Sequence, residues 1–160
     1  MRILVVSDTH GDEGALQRAV QAQPSARTVI HLGDGAREAE AVAARFPDRM
    51  FWQVRGNGDF ALGSADLLYA REETLGGKRL FFTHGHLYGP DAPPPIRSGS
   101  FLLCGHTHLP VRRAIDGFTY LNPGSLALPK EGTPHSCLVL ENGIFTWRDV
   151  VSGAAFEPLS

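Results

Sequence analysis

The chain has 160 residues, 42% of them hydrophobic and 20% charged, with a formal net charge of −2. That length suits one domain over residues 1–160, and the composition excludes a disordered chain. Lys and Arg are scattered rather than striped, which excludes strong nonspecific nucleic-acid binding, and two Cys cannot form a disulfide framework.

Residues 3–6 form an apolar, β-branched run, the pattern of a strand buried on both faces. This run is too short for the core of a signal peptide. No apolar run reaches the ~18 residues of a spanning helix, so the expectation is a soluble cytoplasmic protein with no membrane partner. Glu13–Gln21 carries Ala15, Leu16, Ala19 and Val20 at helical spacing behind Asp12, a residue suited to capping. A second strand is expected over 28–32, a second helix over the Ala- and Glu-rich Ala36–Arg45, and a third strand over 50–54. This alternation predicts a parallel sheet with helices packed on it. The later runs are short and strand-like, at 67–75, 79–83, 101–104, 111–115, 118–121, 136–140 and 144–150. Gly76-Gly77, Asp116-Gly117 and Glu141-Asn142-Gly143 separate some of them as turn signals, which predicts a meander of antiparallel pairs. Residues 89–99 hold Pro90, Pro93, Pro94 and Pro95 and read as a stiff loop.

Five of these runs end in residues of metal-ligand type. The ends are Ser7-Asp8-Thr9-His10, Gly33-Asp34, Gly56-Asn57-Gly58-Asp59, His84-Gly85-His86 and Gly105-His106-Thr107-His108. Singly each is weak, because a lone His or a Gly-Asp turn is common. Their shared position matters more, since ligands of α/β sheets bind beyond the carboxyl ends of the strands. Asp8, His10, Asp34, Asn57, His84, His106 and His108 would then meet at one edge. Seven mixed nitrogen and oxygen donors exceed one tetrahedral zinc and suit two divalent ions sharing a carboxylate. Mn is the first expectation, with Fe, Co, Ni and Zn also compatible. Two such ions bring roughly +4; two Asp and a hydroxide leave about +1, a charge that attracts phosphate.

These blocks resemble the calcineurin-like metallophosphoesterase superfamily. Residues 83–90, 105–110 and 122–125 look like signatures of its small bacterial single-domain phosphodiesterase branch. The resemblance implies a four-layer α-β-β-α sandwich of two mixed sheets flanked by helices. It implies that Asp8, His10 and His108 hold one metal, Asn57, His84 and His106 the second, and Asp34 bridges them. The implied reaction is phosphodiester hydrolysis by a hydroxide bridging the two ions. Asp34, Asn57 and His86 would be the catalytic residues. Asn57, His86 and Arg55 would contact the substrate, a small or extended phosphodiester. One departure stands out: many members of this superfamily carry His, and this branch often carries Cys, where this chain has Gly58. No general acid can act from that position.

Plainer readings accompany several residues. His86 reads equally as a loop histidine, and Arg55 as a partner in a salt bridge. Asp59 suits a turn or cap, His31 a core position and His135 the surface. Cys104 and Cys137 suit buried inert thiols, and 122–125 a turn bracing the His106 and His108 loop. Phe51, Trp52, Phe81 and Phe82 suit strand core. The rival functions are a phosphomonoesterase on the same metals and a non-catalytic scaffold of retromer-subunit type. Exposed strand edges are compatible with a homo-oligomer.

Overall fold

A computed structural model describes residues 1–60 and 66–160. The elements run β1 (Arg2–Val6), α1 (Glu13–Gln21), β2 (Ala26–His31), α2 (Ala36–Arg45) and β3 (Met50–Gln53), then β4 (Ala70–Leu75), β5 (Lys78–Thr83) and β6 (Ser100–Leu103). They continue with β7 (Pro110–Ile115), β8 (Phe118–Pro123), β9 (Ser136–Glu141), β10 (Ile144–Asp149) and the two-residue β11 (Ala155–Phe156). The first sheet has the order β11-β10-β9-β1-β2-β3 and the second β4-β5-β6-β8-β7.

Alternation along each strand divides the side chains between two faces. In β1, Ile3 and Val5 face the second sheet, whereas Leu4 and Val6 face the helices. Leu80, Phe82, Leu103 and Leu121 of the second sheet meet the first group in a core between the sheets. Leu16, Ala19 and Val20 of α1 and Ala39 and Val42 of α2 cover the other face of the first sheet. The Asp12 side chain accepts a bond from Ala15 N at 2.9 Å and caps α1.

Two mixed sheets flanked by helices are therefore present, but among the described residues both α-helices lie on the first sheet. The outer face of the second sheet, with Leu102, Val111, Phe118 and Tyr120, is covered by Ile96 from the Pro-rich loop and by Leu109. The fourth layer is thus loop rather than helix among those residues. The expected antiparallel meander needs a larger correction. β5 pairs with β6, and β6 with β8, in parallel. The Pro-rich loop carries the chain back across the sheet between β5 and β6, and β7 forms a hairpin on β8. The β9–β10 hairpin joins the first sheet, where β9 lies antiparallel to β1. β4 begins at Ala70, not 67, because the Leu68 carbonyl turns to accept from Arg55 N at 2.8 Å. Among the described residues no helix is long and apolar enough to cross a membrane.

Candidate metal centre

β1 and β2 run parallel, so the loops beyond them leave the sheet at the same edge. β5 and β6 of the second sheet deliver their loops to the same place. Here the backbone itself is unusual. Asp8, His10, Asp34, His106 and His108 all have positive φ, between 42° and 70°. Non-glycine residues rarely adopt this region, and such strain concentrates at functional sites. Close approach also demands glycine. A Cβ on Gly105 would lie 1.8 Å from Ser7 Oγ, and one on Gly56 would lie 2.2 Å from Asp34 Oδ1.

The Asp8 carboxylate is fully buried and divides its two oxygens. Oδ2 accepts from Ser7 Oγ at 2.6 Å and from His106 N at 2.9 Å. Oδ1 has no hydrogen-bond partner. It lies 3.3 Å from His108 Nε2, 3.4 Å from His10 Nε2 and 3.9 Å from His84 Nε2. Asp34 Oδ2 is 3.3 Å from His84 Nε2 and 3.8 Å from His10 Nε2. Asp34 Oδ1 accepts from Gly58 N at 2.7 Å. Two donor groups result, Asp8 with His10 and His108, and Asp8 with Asp34 and His84.

The histidine rings are held in the form that suits a cation. His84 Nδ1 donates to the Leu32 carbonyl at 2.7 Å, and His108 Nδ1 donates to the Leu128 carbonyl at 2.6 Å. With Nδ1 donating, a ring that gives up its second proton turns an Nε2 lone pair into the site. His10 Nε2 and His108 Nε2 approach to 3.2 Å. Buried Asp8 Oδ1 and His84 Nε2 lack partners, which is costly unless a cation or a proton fills the space between them. These residues fit divalent ions.

Electrostatics agree. Burial pushes the Asp8 carboxyl up, but His10, His108 and the charge on His84 outweigh it and hold it well below the usual range. Burial likewise opposes the ionised form of Asp34, and the His84 imidazole 3.3 Å away overcomes it. The neighbouring Asp8 carboxylate raises His10. His84 is lowered by burial but raised on balance by Asp34 and Asp8. A group of carboxylates that stay ionised beside imidazoles is prepared to exchange protons for a metal.

The other expected residues sit around this cluster. His106 is exposed, with its ring 5.1 Å from that of His84. Asn57 is exposed on the turn between Gly56 and Asp59. His86 is half-buried, its ring 5.5 Å from His84 and 5.7 Å from Tyr69, and its Nδ1 has no hydrogen-bond partner. Burial and then the neighbouring His84 and His106 lower its pKa. Arg55 donates from Nε to the Asp59 carbonyl at 3.3 Å and lies over the Tyr69 ring at 5.4 Å.

Several plainer readings are borne out. Asp59 accepts from the amides of Asp34, Gly35, Ala36 and Gly56, at 2.7 to 3.0 Å, tying the start of α2 to the end of β3. Asn122 Nδ2 donates to the Gly105 carbonyl at 2.9 Å, and Ser125 Oγ to the Asp8 carbonyl at 2.8 Å, bracing the ligand loops. His31 is buried, and burial lowers its pKa. Its Nδ1 accepts from Gly33 N at 3.1 Å, so Nε2 carries the proton and donates to Thr9 Oγ1 at 3.0 Å. Thr9 in turn donates to Glu38 Oε2 at 2.9 Å, and Gly11 N donates to the same oxygen. Sequence reasoning missed Glu38. The signal available was an acidic residue on the buried side of α2, a position otherwise filled by Ala39 and Val42.

The profile of the calcineurin-like phosphoesterase superfamily domain matches residues 1–143. Phosphodiesterase YfcE of Escherichia coli K12 is 34% identical over 91% of this chain and 90% of its own. The solved structure of that phosphoesterase superposes with a TM-score of 0.83, at 31% identity, over 99% of this chain and 98% of the other. The probable metallophosphoesterase YsnB of Bacillus subtilis is 32% identical over 92% of this chain and 89% of its own. Vacuolar protein sorting 29 of Cryptosporidium parvum shares the fold, with a TM-score of 0.70 at 19% identity over 97% of this chain and 94% of the other.

Proposed function

Because the chain belongs to the calcineurin-like phosphoesterase superfamily, we propose that it is a metal-dependent phosphodiesterase. The observation that carries this reading is the convergence of unpartnered Asp8 Oδ1 and His84 Nε2 with His10, His108 and Asp34. In it Asp8, His10 and His108 would hold one ion, and Asn57, His84 and His106 the second. Asp34 would join the two, a role supported by the approach of its Oδ2 to 3.3 Å from His84 Nε2 and 3.8 Å from His10 Nε2. Mn is the ion expected first. When bound, the ions supply positive charge at the phosphate and lower the pKa of the attacking water.

The protein's own part is positioning. The buried carboxylates stay ionised, the imidazoles are fixed by the Leu32 and Leu128 carbonyls, and the loops are held in their left-handed turns. Water provides the new P–O bond, the P–O bond to one arm breaks, and a phosphomonoester and an alcohol or phenol result. In this reading His86, whose pKa its surroundings lower, would contact the reacting phosphate together with Asn57 and Arg55.

The test is hydrolysis of bis(4-nitrophenyl) phosphate with and without Mn2+, beside the metal content of wild type and Asp34→Ala. Turnover should require metal, and the variant should lose both metal and activity. A folded protein that turns over no diester with any divalent ion would instead be a scaffold. An Asp34→Ala protein that still holds two ions would remove Asp34 from the bridging role.

A further inference from the structure

Beside the metal-ligating groups lies a pocket of about 390 Å³, whose lining includes His10, Asp34, Arg37 and Phe60. Gly58 forms part of its wall and contributes no side chain, which leaves the pocket open next to Asp34. A Cβ there would already stand 3.1 Å from Asp34 Oδ1, and any longer side chain would enter this region. The substitution that removes the usual acid thus also makes room.

The lining of this room is specific. Phe60 is 84% exposed, which leaves its ring free to stack against a flat group. Arg37 is exposed, and among the described residues it has no hydrogen-bond or ion-pair partner. The other polar groups of the wall are occupied. The Asp59 carboxylate holds the amides of Gly35 and Ala36, so these cannot receive an anion. Glu38 turns its Oε2 to Thr9 and Gly11. Arg37 is therefore the group left to recognise charge.

We propose that this pocket takes the leaving arm of the diester, and that it selects an arm bearing an aromatic ring with an anionic group beyond it. The inference rests on the diesterase reading above. It also accounts for how the enzyme manages without an acid at Gly58. A phenol-like arm departs as its anion without needing a proton, and its ring and charge are held by Phe60 and Arg37.

Two substrates separate these contributions: methyl 4-carboxyphenyl phosphate and its neutral counterpart, methyl 4-carbamoylphenyl phosphate. In each only the aryl arm leaves readily. The ratio of their kcat/KM values is compared between wild type, Arg37→Ala and Arg37→Glu, so that intrinsic reactivity cancels. Replacing Arg37 by Ala should lower the carboxylate-to-carboxamide ratio about tenfold, the scale of one charge-assisted hydrogen bond, and Glu should lower it further. Phe60→Ala should raise KM for both substrates by a similar factor and leave their ratio unchanged. A second readout needs no turnover: the Kd of 4-carboxyphenylphosphonate against 4-carbamoylphenylphosphonate, measured by calorimetry on the same proteins. It should show the same loss of preference in Arg37→Ala. A ratio unchanged in Arg37→Ala, by kinetics or by binding, overturns the assignment of this pocket. Absence of diester turnover in metal-loaded wild type would overturn the diesterase reading itself, while the phosphonate preference would still judge the pocket.

Discussion

Gly58 and Glu38 have opposite effects at the scale of single residues. With no proton donor at Gly58, the leaving group must carry its own charge away. A Brønsted series of aryl methyl phosphates should show a steep fall in kcat/KM as the pKa of the phenol rises. A flat series would mean that another acid, such as His86, supplies the proton. Glu38 touches no metal-ligating side chain, yet through Thr9 and the Gly11 amide it grips the residues on either side of His10. Glu38→Ala should weaken metal binding by about 10- to 100-fold, the usual effect of removing a group that orients a ligand. Glu38→Gln, which keeps an acceptor for both bonds, should retain most of the affinity; calorimetric titration with Mn2+ distinguishes the two. The clustering of Asp8, His10, Asp34, His84 and His108 could be read from the sequence because each follows a strand-like run and carries its own chemical signature. The support beneath them could not. Thr9, His31 and Glu38 are separated by 22 and 29 positions from their partners in this chain of bonds, and such pairings exist only once the fold is known.

Among the elements, the junction between β3 and α2 depends most on one side chain, Asp59. Asp59 receives four backbone amides, so Asp59→Ala leaves buried donors without acceptors. The expected cost is about 3 kcal/mol, measured as a lower midpoint of urea unfolding at constant slope. A change within about 0.5 kcal/mol would show that water replaces the carboxylate fully. Both α-helices and nearly every strand were visible as periodic runs. The partners of the strands were not. Hairpin signals at Asp116-Gly117 and Asn142-Gly143 correctly joined β7 to β8 and β9 to β10. Nothing in the composition of the Pro-rich loop shows that it returns the chain to the same end of the sheet, which makes β5 and β6 parallel. β11, with only two residues, lies below the length at which alternation can be seen.

For the molecule as a whole, protons and metal ions compete for the same groups. Asp8 and Asp34 titrate below their ordinary value of 3.8, so their ionised pairing contributes stability above that value and loses it as pH falls. His10 and His84 titrate above 6.5, so their contribution is complete below 6.5 and disappears as pH rises through the raised values. His31, His86 and His106 are lowered and act in the opposite sense, favouring the folded state as they lose protons. The gain in Tm on adding Mn2+ should therefore increase from pH 6 to pH 8, because fewer protons must leave His10 and His84. Thermal unfolding at the two pH values checks this, and an equal or smaller gain at pH 8 contradicts it. The core between the sheets is equally shared. Phe82 is fully buried there, and Phe82→Ala should cost about 3 to 5 kcal/mol in urea unfolding.

The last of the clustered histidines is His108, but β9, which closes the open flank of β1, begins only at Ser136. During synthesis all the clustered carboxylates and imidazoles therefore leave the ribosome before the strand that pairs with Arg2–Val5, the run leading to Asp8. Ordering of that cluster is thus expected in the finished polypeptide rather than in the growing one. A nascent chain arrested before residue 136 would expose half-built sticky ends in place of a working enzyme.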